Sequence, residues 1–247
     1  MRRKALMIIV LLCMLSITWT PRVMGYSQDV TIGSLIEWHV DVAPAEPFNM
    51  FYSEGGFWLA ENGSSMTFQI QSIAEDIVGQ LSIGNVTVIA NDTEIAKDLT
   101  FGVWGTPTEW WPGLIVDVGQ QNIENLNATA FASAERVLGN YLNGTMTSYF
   151  DNISIGMTLI ECIVFDYEQD PTGFGDPQIT HLAYSLADGL LVEARTSYSF
   201  GVPYNLQIML VNSGAPTDNS IFSLFPLILL GALLAAIVIV YVILSKR

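Results

Sequence analysis

The feature that most constrains this chain is an uncharged run of 24 residues, 221–244, near the end of the sequence. At roughly 1.5 Å per residue, a helix of this length crosses a hydrocarbon core of about 30 Å. Lys246 and Arg247 follow, and the positive-inside rule places such cations in the cytoplasm. A buried core helix is the alternative, but it does not explain why two cations come directly after the run. We therefore expect a transmembrane helix at 221–244 and a cytoplasmic tail at 245–247.

Small residues recur within this run at a spacing of four. Gly231 and Ala235 show the small-xxx-small pattern that lets two transmembrane helices approach closely. The pattern favours a weak homo-oligomer through Gly231 and Ala235. The alternative is that these residues only reflect how common glycine and alanine are in transmembrane helices.

The first 25 residues have the organisation of a secretory signal peptide. Three cations at 2–4 precede an apolar run at 5–19, and Val23 and Gly25 occupy the −3 and −1 positions of a cleavage site. An uncleaved signal anchor is the alternative, but the apolar run is shorter than the roughly 20 residues that a span needs. We expect cleavage after Gly25 and a single-pass protein of the cell membrane with its N-terminus outside.

The segment between these two apolar runs is strongly acidic. The whole chain has a net charge of −15, yet only three of its nine basic residues lie at 26–218, together with all 24 acidic residues. The net charge of this segment is therefore −21. Such a surface repels nucleic acid, which we exclude as a partner, and attracts cations. The acidity indicates either a soluble surface screened by a salty exterior or a specific cation site.

Six Asn-x-Ser/Thr sequons mark the same segment as an exterior domain. Glycans are bulky and belong on protein surfaces. Their number predicts an N-glycosylated ectodomain on a eukaryotic or archaeal cell. The candidate acceptors are Asn62, Asn85, Asn91, Asn127, Asn143 and Asn152.

Alternation of apolar and polar residues predicts a β-rich domain at 26–211, followed by a polar linker at 212–220. Residues 36–42 alternate in this way, as a strand with one buried face does. Asp188-Gly189 between alternating apolar positions predicts a hairpin over 180–200. Further strands are expected at 66–73, 81–90, 96–103, 143–150, 156–167 and 204–211.

One helix is expected among these strands. It begins at a cap at or near Asn127 and ends at about Tyr141, with Phe131, Ala134, Leu138 and Tyr141 on one face. A lone helix among antiparallel strands needs a sheet to pack on. We therefore expect an α+β fold, in which one main helix packs on a curved, mostly antiparallel β-sheet.

Two stretches carry a resemblance to known families. Tyr184-Ser-Leu-Ala-Asp-Gly-Leu-Leu-Val-Glu-Ala194 resembles the aspartate-glycine-leucine-leucine strand turn of lipoprotein-carrier folds. This resemblance implies a half-barrel sheet that wraps around helices and holds acyl chains. The layout, including Trp111-Pro-Gly-Leu-Ile-Val116, is similar to archaeal single-pass surface proteins of the choice-of-anchor type, which implies a secreted β-rich ectodomain. Leu12-Cys13-Met14 lacks the small residue of a lipobox, so the carrier resemblance concerns the fold and not the anchor.

Recognisable catalytic motifs are missing from the sequence. It contains no nucleophile elbow, no Gly-rich phosphate loop and no HExxH pattern. Cys162 is the only cysteine after the signal segment, so an intrachain disulfide is excluded. Its apolar strand without a neighbouring histidine predicts a small buried side chain. We expect a protein that is not an enzyme and has no resident cofactor.

Two clusters offer oxygen or nitrogen ligands for a metal ion. Alternating acids in the loop at 166–176 are typical of Ca²⁺ sites, and the alternative is a solvated hairpin loop. Two acids flank His39 at a spacing of two, on one strand face, and the alternative is the solvent-facing side of that strand. The Ca²⁺ ligands would be Asp166, Glu168, Asp170 and Asp176; the second cluster would comprise Glu37, His39, Asp41 and His181.

Three tryptophans are clustered within eight residues: Trp104, Trp110 and Trp111. Tryptophan anchors interfaces because it combines a large apolar area with one donor. The cluster therefore either binds a sugar or an apolar ligand, or seals one end of the core.

Two functions from different classes follow. The first is a non-catalytic module of the cell envelope that contacts a protein or glycan partner. The second is a binder or carrier of a lipophilic ligand on a half-barrel scaffold. An apolar cavity of roughly 300–1,000 Å³ would favour the second, because ligand pockets have this size.

Overall fold

The computed structural model describes residues 25–46, 48–49, 57–58, 61–96, 110, 112–173, 175–200 and 202–214. A nine-stranded antiparallel sheet forms the body of the described chain, in the order β6-β5-β4-β1-β11-β10-β9-β8-β7, and β2 pairs with β3 separately. The elements are β1 Leu35–Val42, β2 Phe48–Asn49, β3 Phe57–Trp58, β4 Ser65–Ile73, β5 Ile77–Ile83, β6 Val86–Asn91, α1 Asp92–Ala96, α2 Gln120–Arg136, β7 Gly144–Ile155, β8 Thr158–Gln169, β9 Ile179–Ser185, β10 Leu191–Phe200 and β11 Val202–Gly214. The predicted β-rich, mostly antiparallel fold is confirmed.

The sheet consists of two meanders that meet in its middle. β1, β4, β5 and β6 follow one another outward on one side, and β7 to β11 follow one another inward on the other. β1 and β11 pair at the centre, with Leu35 opposite Gly214. We name the edge formed by Leu35, Gly214 and the β7–β8 and β9–β10 turns the exit end, because the last described residue of the chain lies there.

One face of the sheet, the inner face, carries a continuous apolar core. Ile36, Trp38 and Val40 in β1 are almost fully buried, as the alternation predicted. Trp38 lies between Met66 of β4 and Leu210 of β11, so the apolar row continues across neighbouring strands. Removing each such side chain from water contributes about 1.5–3 kcal/mol, which makes this face the main source of stability.

The predicted hairpin at 180–200 is present as β9 and β10. The single strand expected at 81–90 is wrong, because Gly84 adopts a φ of 54° and turns the chain between β5 and β6. Ala96 ends α1 instead of beginning a strand, and residues 97–103 lie outside the described residues. β11 continues to Gly214, so the first three residues of the predicted linker belong to the sheet.

The main helix packs on β7, but its predicted start is wrong, and of the four residues predicted on its buried face Ala134 alone is a buried helical residue. α2 begins at Gln120, after Gly119 with a φ of 98°, and not near Asn127. Phe131 is exposed, and Leu138 and Tyr141 follow the last helical residue, where helical spacing no longer applies. Small side chains instead allow the close approach of α2 to the sheet. The buried residues of α2 are Ile123, Ala130, Ser133 and Ala134.

The predicted signal peptide up to residue 24, the transmembrane helix with Gly231 and Ala235, and the cytoplasmic tail lie outside the described residues. Among the helices that the structure describes, none is long and apolar enough to cross a membrane.

Candidate ligand cleft

A cleft of about 670 Å³ opens between α2 and the inner face of β7 and β8, at the exit end of the sheet. Ile123 is the first buried apolar residue of α2 and forms the helix side of the cleft. Phe150 and Ile163 are opposite each other in the β7–β8 pairing and form the sheet side. Leu186, in the turn after β9, closes one end. The volume lies within the roughly 300–1,000 Å³ of small-molecule sites.

The cleft lies beside the first half of α2, whereas three of the four buried residues of the helix lie in its second half. Ala130, Ser133 and Ala134 are small and buried there, whereas Phe150 beside the first half of the helix stays 69% exposed. An aromatic ring left in water at the mouth of an apolar cavity is unusual, since burying it fully would contribute about 1.5–3 kcal/mol. The cleft therefore offers apolar surface that its own chain does not cover.

Polar contacts fix the position of the helix over the sheet. The Ser148 hydroxyl of β7 donates a hydrogen bond of 2.5 Å to Asn127 Oδ1 in α2. Gln120 Nε2 donates to Glu124 Oε1 at 2.9 Å along the rim. These groups could orient one polar end of a ligand while the apolar walls hold its body.

Because the sequence predicted the helix seven residues too late, it did not indicate this cleft.

Of the tryptophan cluster, the structure describes Trp110, which is 3% exposed. Its ring packs on Phe165 of the inner face, with centroids 5.1 Å apart and planes at 60°. Trp110 therefore belongs to the core. Trp104 and Trp111, the other predicted binding aromatics, lie outside the described residues.

The structure does not bring the four predicted Ca²⁺ ligands to one point. Asp166 accepts a hydrogen bond of 2.9 Å from the Tyr149 hydroxyl and lies 2.6 Å from His181 Nδ1. Asp170 accepts a hydrogen bond from the Asn143 amide at the far end of β8. Glu168 and Asp176 are solvent-exposed. Among the described residues, no three His, Cys, Asp or Glu side chains form a group that could hold a metal ion.

The two histidines are on separate parts of the sheet. His39 is in β1 and His181 is in β9, with β11 and β10 between them. His39 Nε2 lies 3.7 Å from Asp41, while Glu37 instead accepts a hydrogen bond of 2.8 Å from Ser65. His181 contacts Asp166 on β8, as described above. The predicted Glu37, His39, Asp41 and His181 cluster is therefore not assembled.

The sequons differ in exposure. Asn62, Asn85 and Asn152 are exposed, so a glycan on them would extend into solvent. Asn127 is partly buried and lines the cleft, and Asn143 is partly buried and hydrogen-bonded to Asp170. Asn91 is half-buried. Only the folded structure distinguishes the sites by exposure, because all six sequons fit the same motif.

Cys162 is buried, in agreement with the predicted core role. Burial raises the pKa of its thiol to about 12. The thiolate is the reactive form, so this cysteine is chemically inert in the folded chain.

Asp92, the first residue of α1, is a fully buried carboxyl group that the sequence did not single out. Its Oδ2 accepts the Ile115 N–H at 3.0 Å. Burial, followed by a hydrogen bond to Asp76 and the charge of that residue, raises the pKa of Asp92 well above its usual range. The folded chain thus holds this proton more tightly than the unfolded chain. The resulting stability is complete below the unfolded pKa and is lost as pH rises through the folded one.

Comparison with protein-family models, curated proteins and solved structures finds no match to this chain. Apolar walls with a few polar groups at the rim suit a largely apolar ligand.

Proposed function

We propose that this chain is a non-catalytic binding module of the cell surface, which holds an apolar ligand of the acyl-chain class between α2 and β7–β8. The observation that carries the proposal is the cleft of about 670 Å³ with Phe150 exposed on its wall. A ligand that covers the exposed Phe150 ring gains hydrophobic free energy without any rearrangement of the core, where Ile123 and Ile163 are already buried.

The location outside the cell is supported by the sequence and by the sequon positions. The acidic segment, the predicted signal peptide and the predicted span at 221–244 suit a membrane-anchored, N-glycosylated ectodomain. The exposed side chains of Asn62 and Asn85 support glycosylation at those sites. A helix-covered antiparallel sheet with an apolar cleft is also what the resemblance to lipoprotein carriers implies.

A photoreactive monoacylglycerol tests the proposal on the full chain in detergent, with cross-linked peptides mapped by mass spectrometry. We expect adducts on 119–127 or 148–163. Phe150→Glu should reduce them about tenfold, because covering the exposed 69% of the ring contributes about 1–2 kcal/mol and 1.4 kcal/mol corresponds to tenfold.

Leu138→Glu is the matched control. Leu138 is 66% exposed, similar to Phe150, but it lies at the opposite end of the sheet and does not line the cleft. This variant should cross-link like the unmodified chain. Adducts confined to 221–244 in all three proteins would refute ligand binding in the cleft and would favour an envelope module that contacts a protein or glycan partner.

A further inference from the structure

We propose that the exit end of the sheet rests on the outer surface of the lipid bilayer, with the β7–β8 turn inserted between the headgroups, so that the cleft opens toward the membrane. This inference rests on the proposed function, since it names the bilayer as the source of the ligand, and on the predicted span at 221–244.

The path of the chain defines which end of the domain is near the membrane. β11 ends at Gly214 on the exit end, and only residues 215–220 separate it from the predicted span. Six residues extend over at most about 20 Å, because a fully extended chain covers roughly 3.3–3.6 Å per residue. β7 is 12 residues long, or about 40 Å. The linker is thus too short to let the far end of the sheet replace the exit end at the bilayer.

An exposed apolar tip lies at this same end. Met157, in the β7–β8 turn, is completely exposed, and Leu159 is 68% exposed. The outermost backbone hydrogen bond between β8 and the chain after β9 joins the Leu186 N–H to the Glu161 carbonyl, so Met157 lies about 13 Å beyond that bond at roughly 3.3 Å per residue. Large apolar side chains at the end of a projecting hairpin gain free energy when lipid replaces water around them.

The tip and the cleft share one side of the sheet. Leu159 and Ile163 are four residues apart in β8, so both side chains point to the inner face. Phe150 of β7 pairs with Ile163 and faces the same way. At roughly 3.3 Å per residue, the mouth of the cleft is therefore about 13 Å from Leu159 and about 20 Å from Met157.

Charge at the exit end selects the kind of lipid surface. Asp29, Asp151 and Glu161 are exposed there, and Asp188 lies in the β9–β10 turn. These carboxylates repel anionic headgroups. The surface that fits is a zwitterionic bilayer such as phosphatidylcholine.

The test uses the full chain reconstituted into phosphatidylcholine vesicles, with an environment-sensitive NBD dye on Met157→Cys. Leu138→Cys at the opposite end of the sheet is the matched control. Cys162 is buried and does not compete for the dye, and Cys13 is replaced by serine in both variants. Both variants carry Asn152→Gln, because a glycan there would lie three residues from the end of β7.

We expect lipid-borne quenchers to reduce the fluorescence at position 157 and to leave position 138 unchanged. Quenching of the dye at position 157 should be weaker in vesicles rich in phosphatidylglycerol, because the carboxylates at the exit end repel anionic headgroups. Three results would refute contact between the β7–β8 turn and the membrane: quenching at neither position, equal quenching at both positions, or stronger quenching at position 138. Cross-linking of the soluble monoacylglycerol probe to the cleft reports separately on the proposed function, so the two ideas can fail independently.

Discussion

Two glycines at the exit end adopt left-handed backbone conformations, and the structure predicts very different costs for replacing them. Gly156 in the β7–β8 turn has a φ of 58°, and a Cβ added there meets no atom within 4 Å. Gly189 in the β9–β10 turn has a φ of 78°, and a Cβ added there would lie 2.0 Å from the Val116 carbonyl oxygen. Only the second position combines backbone strain with a collision.

The magnitudes follow from these contacts. Gly156→Ala should cost about 1–2 kcal/mol, the penalty of an L-residue in the left-handed region. Gly189→Ala adds overpacking against Val116, at about 1–3 kcal/mol, and weakens the Val116 N–H bond to the Gly189 carbonyl, at about 0.5–1.5 kcal/mol. We expect a total of about 2.5–6.5 kcal/mol, a large part of the roughly 5–15 kcal/mol that stabilises a typical domain.

Urea unfolding of the full chain, followed by far-ultraviolet circular dichroism, measures both values through linear extrapolation. Asparagine provides the control for strain, because it tolerates positive φ better than alanine does. Gly156→Asn should therefore recover most of the loss, whereas Gly189→Asn should not. Equal losses for the two alanine variants, or a Gly189→Asn variant as stable as the unmodified chain, would refute the collision with Val116.

Three further predictions concern the buried groups. Asp92→Asn keeps an acceptor for the Ile115 N–H but has no proton to lose, so it should raise Tm at about pH 7.5 more than at about pH 4. Scanning fluorimetry measures both Tm values. An equal change in Tm at the two pH values argues against a raised pKa of Asp92. Gly79→Ala should cost about 1–3 kcal/mol, because its methyl would lie 2.4 Å from the buried Phe68 ring. A double-mutant cycle with Phe68→Leu should show that the two changes are coupled, and additive losses would contradict the contact. Cys162 should react with iodoacetamide at about pH 8 only after unfolding, and labelling of the folded chain, mapped by mass spectrometry, would show that the thiol is accessible.

Strands and turns were predictable from the sequence where their signals are local. The alternation at 36–42 requires only that one side of a strand is buried, and β1 has this pattern. Asp188-Gly189 predicts a hairpin because only glycine readily adopts the positive φ that the turn needs. The turn at Gly84 was missed because the apolar residues on both sides of it continue the same alternation.

The helix could not be placed from its sequence because its stability comes from packing. Residues 120–126 are mostly polar, and Ile123 is their only buried residue. The large side chain of Phe131 suggested a core position, yet the sheet accepts the small Ala130 and Ala134 and leaves Phe131 exposed. Since the cleft depends on where α2 begins, the error in the helix also hid the candidate site.

The sequence by itself determined the features that depend on neighbouring residues or on composition: a β-rich acidic segment between two apolar runs, the hairpin at 180–200 and the sequon positions. The tertiary structure decided which groups meet across the chain. It placed Phe150 and Ile163 opposite α2, buried Asp92 beneath Ile115, and separated His39 from His181 by two strands. Periodicity specifies which side of a strand is apolar. The pairing of distant strands and the position of a helix on the sheet depend instead on packing over the whole sheet. For that reason the cleft is visible only in the folded chain.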